Sequence, residues 1–212
     1  MRAPPRHRLA RVPVAASGVE LRGLLDDVLP LPPFERADGR GLAAQQTAVR
    51  VAHDGVALFV RFDCVDRDIW GTYERRDDPL WLEEVVEVFL APGAKDPVRY
   101  HEFEVSPRGV LFDAVVENSG TRREDRAVDV AWDCPGITWR ARAYPALGVW
   151  RAEVSIPWAS VAPAEAIPEV WRVNFYRIER PRDGEAEYSC WAATLTDPAD
   201  FHRPERFGFL DW

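Results

Sequence analysis

Residues 47–62 read TAVRVAHDGVALFVRF, and their pattern decides the fold class. Ala48-Val49-Arg50-Val51-Ala52 alternates, His53-Asp54-Gly55 supplies a turn, and Val56 to Phe62 resumes an apolar run. Two period-two segments joined by a Gly-containing turn predict a β-hairpin.

The pattern repeats downstream. Glu84 to Leu90 (EVVEVFL) reads as a strand stopped by Pro92-Gly93. Tyr100–Val105 and Val110–Val116 flank Ser106-Pro107-Arg108-Gly109, a second hairpin. Ile137–Tyr144 and Trp150–Ile156 flank Pro145-Ala146-Leu147-Gly148, a third. Trp171–Glu179, Tyr188–Ala192 and Phe207–Leu210 complete the set, and Pro157–Val161 reads as a single helical turn. Short strands at even spacing with Gly/Pro turns predict an all-β, antiparallel β-sandwich of immunoglobulin or jelly-roll type with little helix. Upstream, Pro4, Pro5, Pro13, Pro30, Pro32 and Pro33 interrupt regular structure. Residues 1–44 are therefore expected to be an irregular lead-in wrapped on a domain of residues 45–212, with a short strand near Arg11–Ala15.

Composition narrows the function. The chain has 212 residues, 47% of them apolar, and a net charge of −8. That suffices for a packed core without metal or disulfide staples. An acidic chain disfavours nucleic acid and anionic membrane as partners. No apolar run reaches the about 20 residues of a membrane span, and the basic, proline-broken N-terminus lacks a signal-peptide core. A soluble, cytoplasmic protein is expected, or a secreted one if the start site is misassigned. Cys64, Cys134 and Cys190 are widely spaced, with no CxxC and no zinc-ligand spacing to a histidine. They are expected to be free thiols in or near the core. No GxGxxG, GKS/T, HExxH or GxSxG motif occurs. Asp63, Asp66 and Asp68 are available for calcium, but no EF-hand pattern follows them.

Parity sorts the strand faces. Val86, Val88 and Leu90 share one face, and Val85, Glu87 and Phe89 the other. Phe103 and Val105 oppose Glu102 and Glu104, while Asn174, Tyr176 and Ile178 oppose Val173, Phe175 and Arg177. Glu87, inside an apolar strand, needs solvent, an arginine across the strands or a ligand, because an unpaired buried charge is costly. Glutamate pairs can serve as acid and nucleophile on a glycosidic bond. Alternatively, carboxylates can accept hydrogen bonds from sugar hydroxyls while an aromatic ring stacks on the sugar.

The runs VRVAHDGVALFVRFDCVDRDI (49–69), RRDDPLWLEEVVEVFLAP (75–92) and YHEFEVSPRG (100–109) together resemble the family-9 carbohydrate-binding modules. GVWRAEVSIPW, WRVNFYRIERP and DFHRPERFGFL continue the likeness, which spans about Thr47 to Leu210. The resemblance implies a DOMON-like β-sandwich and binding of sugar ends without catalysis. In such modules two aromatics sandwich the sugar, and Trp81 and Phe201 match their positions. Glu87, Glu102 and Glu104 match the polar partners, with Asn174 and Tyr176 as neighbours. The chain departs in carrying Phe201 where tryptophan is usual and Glu104 where sugar-binding members have a basic residue. The TDPAD loop before Phe201 also lacks their amides.

The resemblance leaves calcium open. Three other readings remain at this point: a glycoside-active enzyme using the glutamates, a haem or redox domain, and a structural or interaction domain whose concave face is vestigial. Met1 is the sole methionine, so a haem would need two of His53, His101 and His202 to converge. The ligand's identity and the oligomeric state are not legible in the sequence.

Overall fold

The strands expected from residue 47 onward form within about three residues of their limits, and an unexpected one, Arg126–Asp129, joins them. The computed structural model describes residues 2–13, 23–120, 122–163 and 167–212. Its strands are β1 (Arg6–Arg8), β2 (Ala10–Arg11), β3 (Glu35–Arg36), β4 (Thr47–His53) and β5 (Ala57–Val65). Then follow β6 (Val85–Pro92), β7 (Arg99–Val105), β8 (Leu111–Asn118), β9 (Arg126–Asp129) and β10 (Thr138–Tyr144). The last are β11 (Val149–Pro157), β12 (Val170–Glu179), β13 (Glu187–Cys190) and β14 (Gly208–Asp211). The helical turn after β11 is α1 (Trp158–Val161).

Two sheets pack face to face. The larger runs β1-β14-β12-β6-β7-β8-β9, with β13 pairing β12 and β3, and the smaller runs β10-β11-β5-β4-β2. Between them lies one core. Val49, Val51, Val60, Phe62, Trp150 and Val154 from the small sheet meet Val86, Val88, Leu90, Phe103, Trp171 and Phe175 from the large one. In β6, β7 and β12 the residues that meet in the core are ones that share a face by parity. Each fully buried large apolar side chain contributes about 1.5–3 kcal/mol.

The large sheet is apolar on its other face as well. Val85, Phe89, Tyr100, Phe112, Tyr176 and Ile178 pack there with Leu80, Phe201 and Phe207 from the covering loops. This double burial explains why EVVEVFL reads as a nearly continuous apolar run.

The lead-in differs from an irregular wrap. β1 pairs parallel with β14, and β2 pairs parallel with β4, so two adjacent short strands bridge both sheets. Leu9 between them enters the core, and its N–H donates to the Asp211 carbonyl. The sheets are therefore mixed rather than wholly antiparallel. Prolines allow this because edge strands leave one side of the backbone unpaired. Of the strand expected near Arg11–Ala15, Arg11 falls in β2, and Val14 and Ala15 lie outside the described residues.

An arginine–glutamate pair does form across β6 and β12, but not at Glu87. Arg177 is fully buried and lies 3.1 Å from Asp66 and 3.6 Å from Glu84. It also donates to the Val65 carbonyl at 2.6 Å. The three cysteines are free and buried. Burial pushes each thiol up to about 12, which removes any nucleophilic use at neutral pH.

Candidate functional site

Strand register builds the floor of a groove on the outer face of the large sheet. Glu87 of β6 stands opposite Glu104 of β7, flanked by Tyr176 of β12 on one side and Phe112 of β8 on the other. Glu102 lies two residues along β7, on the same face. The row Tyr176–Glu87–Glu104–Phe112 spans three strand spacings, about 14 Å.

Aromatic side chains from two loops rise over the ends of this row. Beyond Phe112, a turn lifts Trp81. The Asp78 carboxylate accepts the backbone N–H of Arg75 at 2.9 Å, and a 3-10 turn follows over Leu80–Leu82. Leu80 points inward and is fully buried, which leaves Trp81 39% exposed with its ring edge-on to Phe112 at 5.2 Å.

At the opposite end stands Phe201, 8% exposed, with its ring stacked on Tyr176 at 4.3 Å. The Tyr176 hydroxyl donates to the Phe201 carbonyl at 2.9 Å, and Asn118 donates to the His202 carbonyl at 3.1 Å. One aromatic wall is thus open and the other braced from behind. Trp81, Phe201, Glu87, Glu102 and Glu104 line one groove of about 760 Å³.

The floor is acidic and crowded. One oxygen from each of Glu87, Glu102 and Glu104 lies within 4.8 Å of the others, and all three residues are buried. Among the described residues this is the one such group close enough to share an ion. None of the three has a salt bridge to a basic side chain among the described residues, and Glu104 Oε2 is buried without a hydrogen-bond partner. Burial, and then the charge of Glu102, raises the Glu87 carboxyl well above the ordinary range. Burial and both neighbours do the same to Glu104. Burial pushes Glu102 up to about 7, and its hydrogen bond with Glu104 and the nearby Arg126 guanidinium limit the rise. The floor therefore carries protons at neutral pH and can donate as well as accept hydrogen bonds.

Two expected neighbours serve the fold rather than the groove lining. Asn174 is fully buried; it donates to the Ala192 carbonyl at 2.8 Å and accepts the N–H groups of Phe175 and Ala192. Tyr176 sits behind Phe201 as its support. Groove residues that sequence reasoning missed include Arg126, Arg180, Tyr188 and Asp200. Arg126 begins β9, a four-residue strand too short to stand out, and it pairs with Asp200. Asp200 directly precedes Phe201, which was the available signal.

The remaining candidates disperse. His53 packs on Trp212, His101 on Trp132, and His202 on Phe89, so no pair of histidines converges for a haem. Asp63 accepts from Arg50, Arg61 and Arg151, Asp66 from Arg177, and Asp68 from Arg182. Guanidinium groups occupy these carboxylates, so they do not fit a calcium loop. The glutamates share one floor on adjacent strands rather than facing each other across a cleft, as a glycosidase acid and nucleophile do.

The family model for carbohydrate-binding family 9 matches residues 43–212. A protein of Arthroderma benhamiae described as an extracellular protein is 30% identical over 164 residues, covering 74% of this chain and 74% of its own length. A Bacteroides uniformis protein to which carbohydrate binding has been ascribed superposes with a TM-score of 0.80 at 18% identity, over 99% of both chains. A family-9 module of Caldicellulosiruptor kristjanssonii in complex with cellotriose gives a TM-score of 0.63 at 12% identity, over 97% of this chain and 92% of that one. Its complex with glucose gives 0.62 at 14% identity, over 97% and 94%. At these identities the solved structures establish the shared fold. No helix among the described residues is long and apolar enough to cross a membrane.

Proposed function

The chain belongs to carbohydrate-binding family 9, and from that premise we propose that its groove holds a short saccharide or the end of a glycan, without catalysis. The observation that carries this reading is the placement of Trp81 and Phe201 over opposite ends of one row of polar floor residues. The apolar face of a sugar ring stacks on the exposed Trp81, and Phe201 closes the other side. Glu87, Glu102 and Glu104 exchange hydrogen bonds with the hydroxyls. Affinity is modest, because each such bond largely replaces one to water.

Support also comes from the Caldicellulosiruptor module, which shares the fold and is described with cellotriose and with glucose. The description of the Arthroderma protein supports an extracellular setting over the cytoplasmic one read from the N-terminus.

A glycan screen with purified protein tests the assignment, followed by Trp81→Ala. The wild type is expected to retain at least one saccharide class. The variant is expected to lose it at a stability cost below the about 3–5 kcal/mol of a core tryptophan. A wild type that binds no glycan overturns the reading. A variant that binds as well as the wild type moves the site elsewhere.

A further inference from the structure

We propose that the ligand presents a protonated primary amine to the floor of the groove, so that the preferred saccharide is an amino sugar with its amine free. The inference rests on the saccharide reading above and names the chemistry of that same site. Three acidic side chains converge at one point of the floor, with one oxygen from each within 4.8 Å of the others. An ammonium group has three N–H donors arranged tetrahedrally. Charge-assisted bonds of about 2.8 Å place its three acceptors about 4.6 Å apart. The floor oxygens, all within 4.8 Å of one another, admit that spacing.

The surrounding charges leave the position open to a cation. The other charged groups lining the groove are Arg123, Arg126, Arg180 and Asp200. Arg126 pairs with Asp200, Arg180 donates to the Tyr188 hydroxyl at 2.9 Å, and Arg123 is exposed at the rim. None of the three guanidinium groups forms a hydrogen bond or salt bridge to Glu87, Glu102 or Glu104 among the described residues. Glu104 is 1% exposed, and among the described residues its Oε2 has no hydrogen-bond donor from outside the cluster. A buried acceptor left unmatched is costly, and a ligand donor removes that cost.

A bare divalent ion would use the same oxygens. The aromatic walls decide between the two occupants. Trp81 and Phe201 stand over the flanks of the cluster, which an isolated ion does not need and a sugar ring does. The amine enters as the ammonium ion, and the floor releases protons to bulk water as its carboxyls ionise against it. No covalent bond forms or breaks.

Calorimetric titration of the whole chain with fully deacetylated chitobiose, N-acetylated chitobiose and cellobiose tests this. The free amine is expected to bind about tenfold more tightly than either neutral disaccharide, the margin of a charged over a neutral hydrogen bond. In Glu104→Gln that ratio is expected to fall towards one. Titration of the wild type just below neutral pH, in buffers of different ionisation heat, is expected to show proton release with the amine and none with cellobiose. This second measurement stands if the variant fails to fold.

Equal binding of the amine and cellobiose overturns the proposal and leaves the saccharide reading intact. Absence of binding to all three, together with a blank glycan screen, overturns both. Stoichiometric calcium uptake that blocks the amine makes the cluster a metal site and overturns the proposal. So does an unchanged preference in a folded Glu104→Gln, or amine binding without proton release.

Discussion

Replacing Glu102 by glutamine makes the electrostatics of the floor measurable in the protein alone. Burial holds the Glu102 carboxyl at about 7, against 4.5 for the free group. A group whose native pKa is raised stabilises the fold fully below its unfolded value, and that contribution is lost as pH rises through the native one. Between about pH 5 and about pH 8, linkage gives a loss of about 2–3 kcal/mol from Glu102 alone. The glutamine variant lacks the group and therefore the loss. Its removal also relieves Glu87 and Glu104, which the Glu102 charge pushes up, so the figure is a floor.

His101 and His202 are held down to about 4, chiefly by burial. They give the opposite trend, with stability lost as pH falls below the unfolded value of 6.5. Both proteins carry them, so they cancel in the comparison. Urea unfolding followed by tryptophan fluorescence at the two pH values gives the four free energies. The wild type is expected to lose about 2–3 kcal/mol more than Glu102→Gln on going to the higher pH. Parallel losses in the two proteins would refute the picture of a proton-carrying floor.

Two further outcomes follow from the packing. Arg177→Ala strands Asp66 as a buried charge and is expected to cost about 3–5 kcal/mol in denaturant unfolding; a cost under about 1 kcal/mol would show that water reaches Asp66. Tyr176→Phe removes the donor to the Phe201 carbonyl. It is expected to cost about 1 kcal/mol and to weaken saccharide binding through a looser Phe201 loop; unchanged affinity by calorimetry would detach Tyr176 from the site.

The strands and their faces were legible because alternation is local. A period of two assigns each side chain to a face without knowledge of its partner strand. That is why Val86, Val88 and Leu90 could be set on one face and Glu87 on the other from EVVEVFL alone, while which face turns inward was left to the packing. Trp81 and Phe201 became candidates through the family resemblance, since nothing local distinguishes a groove tryptophan from a core one. The turn at Asp77–Leu80 was the only local hint of exposure.

What only the tertiary structure decided is pairing. The register of β6 on β7 sets Glu87 against Glu104 and brings Glu102 within reach. A slip of one residue would turn the glutamates into the core. The same long-range choice sent Arg177 to Glu84 and Asp66 rather than to Glu87, and left the floor without a basic salt-bridge partner among the described residues. It satisfied Asn174 within the backbone, placed Tyr176 behind Phe201, and drew a proline-rich N-terminus into both sheets. Local sequence fixes which way a side chain points. Its neighbours come from positions 11 to 93 residues away, and the cost of stranding buried charges and unpaired backbone selects among them only once the sheets have formed.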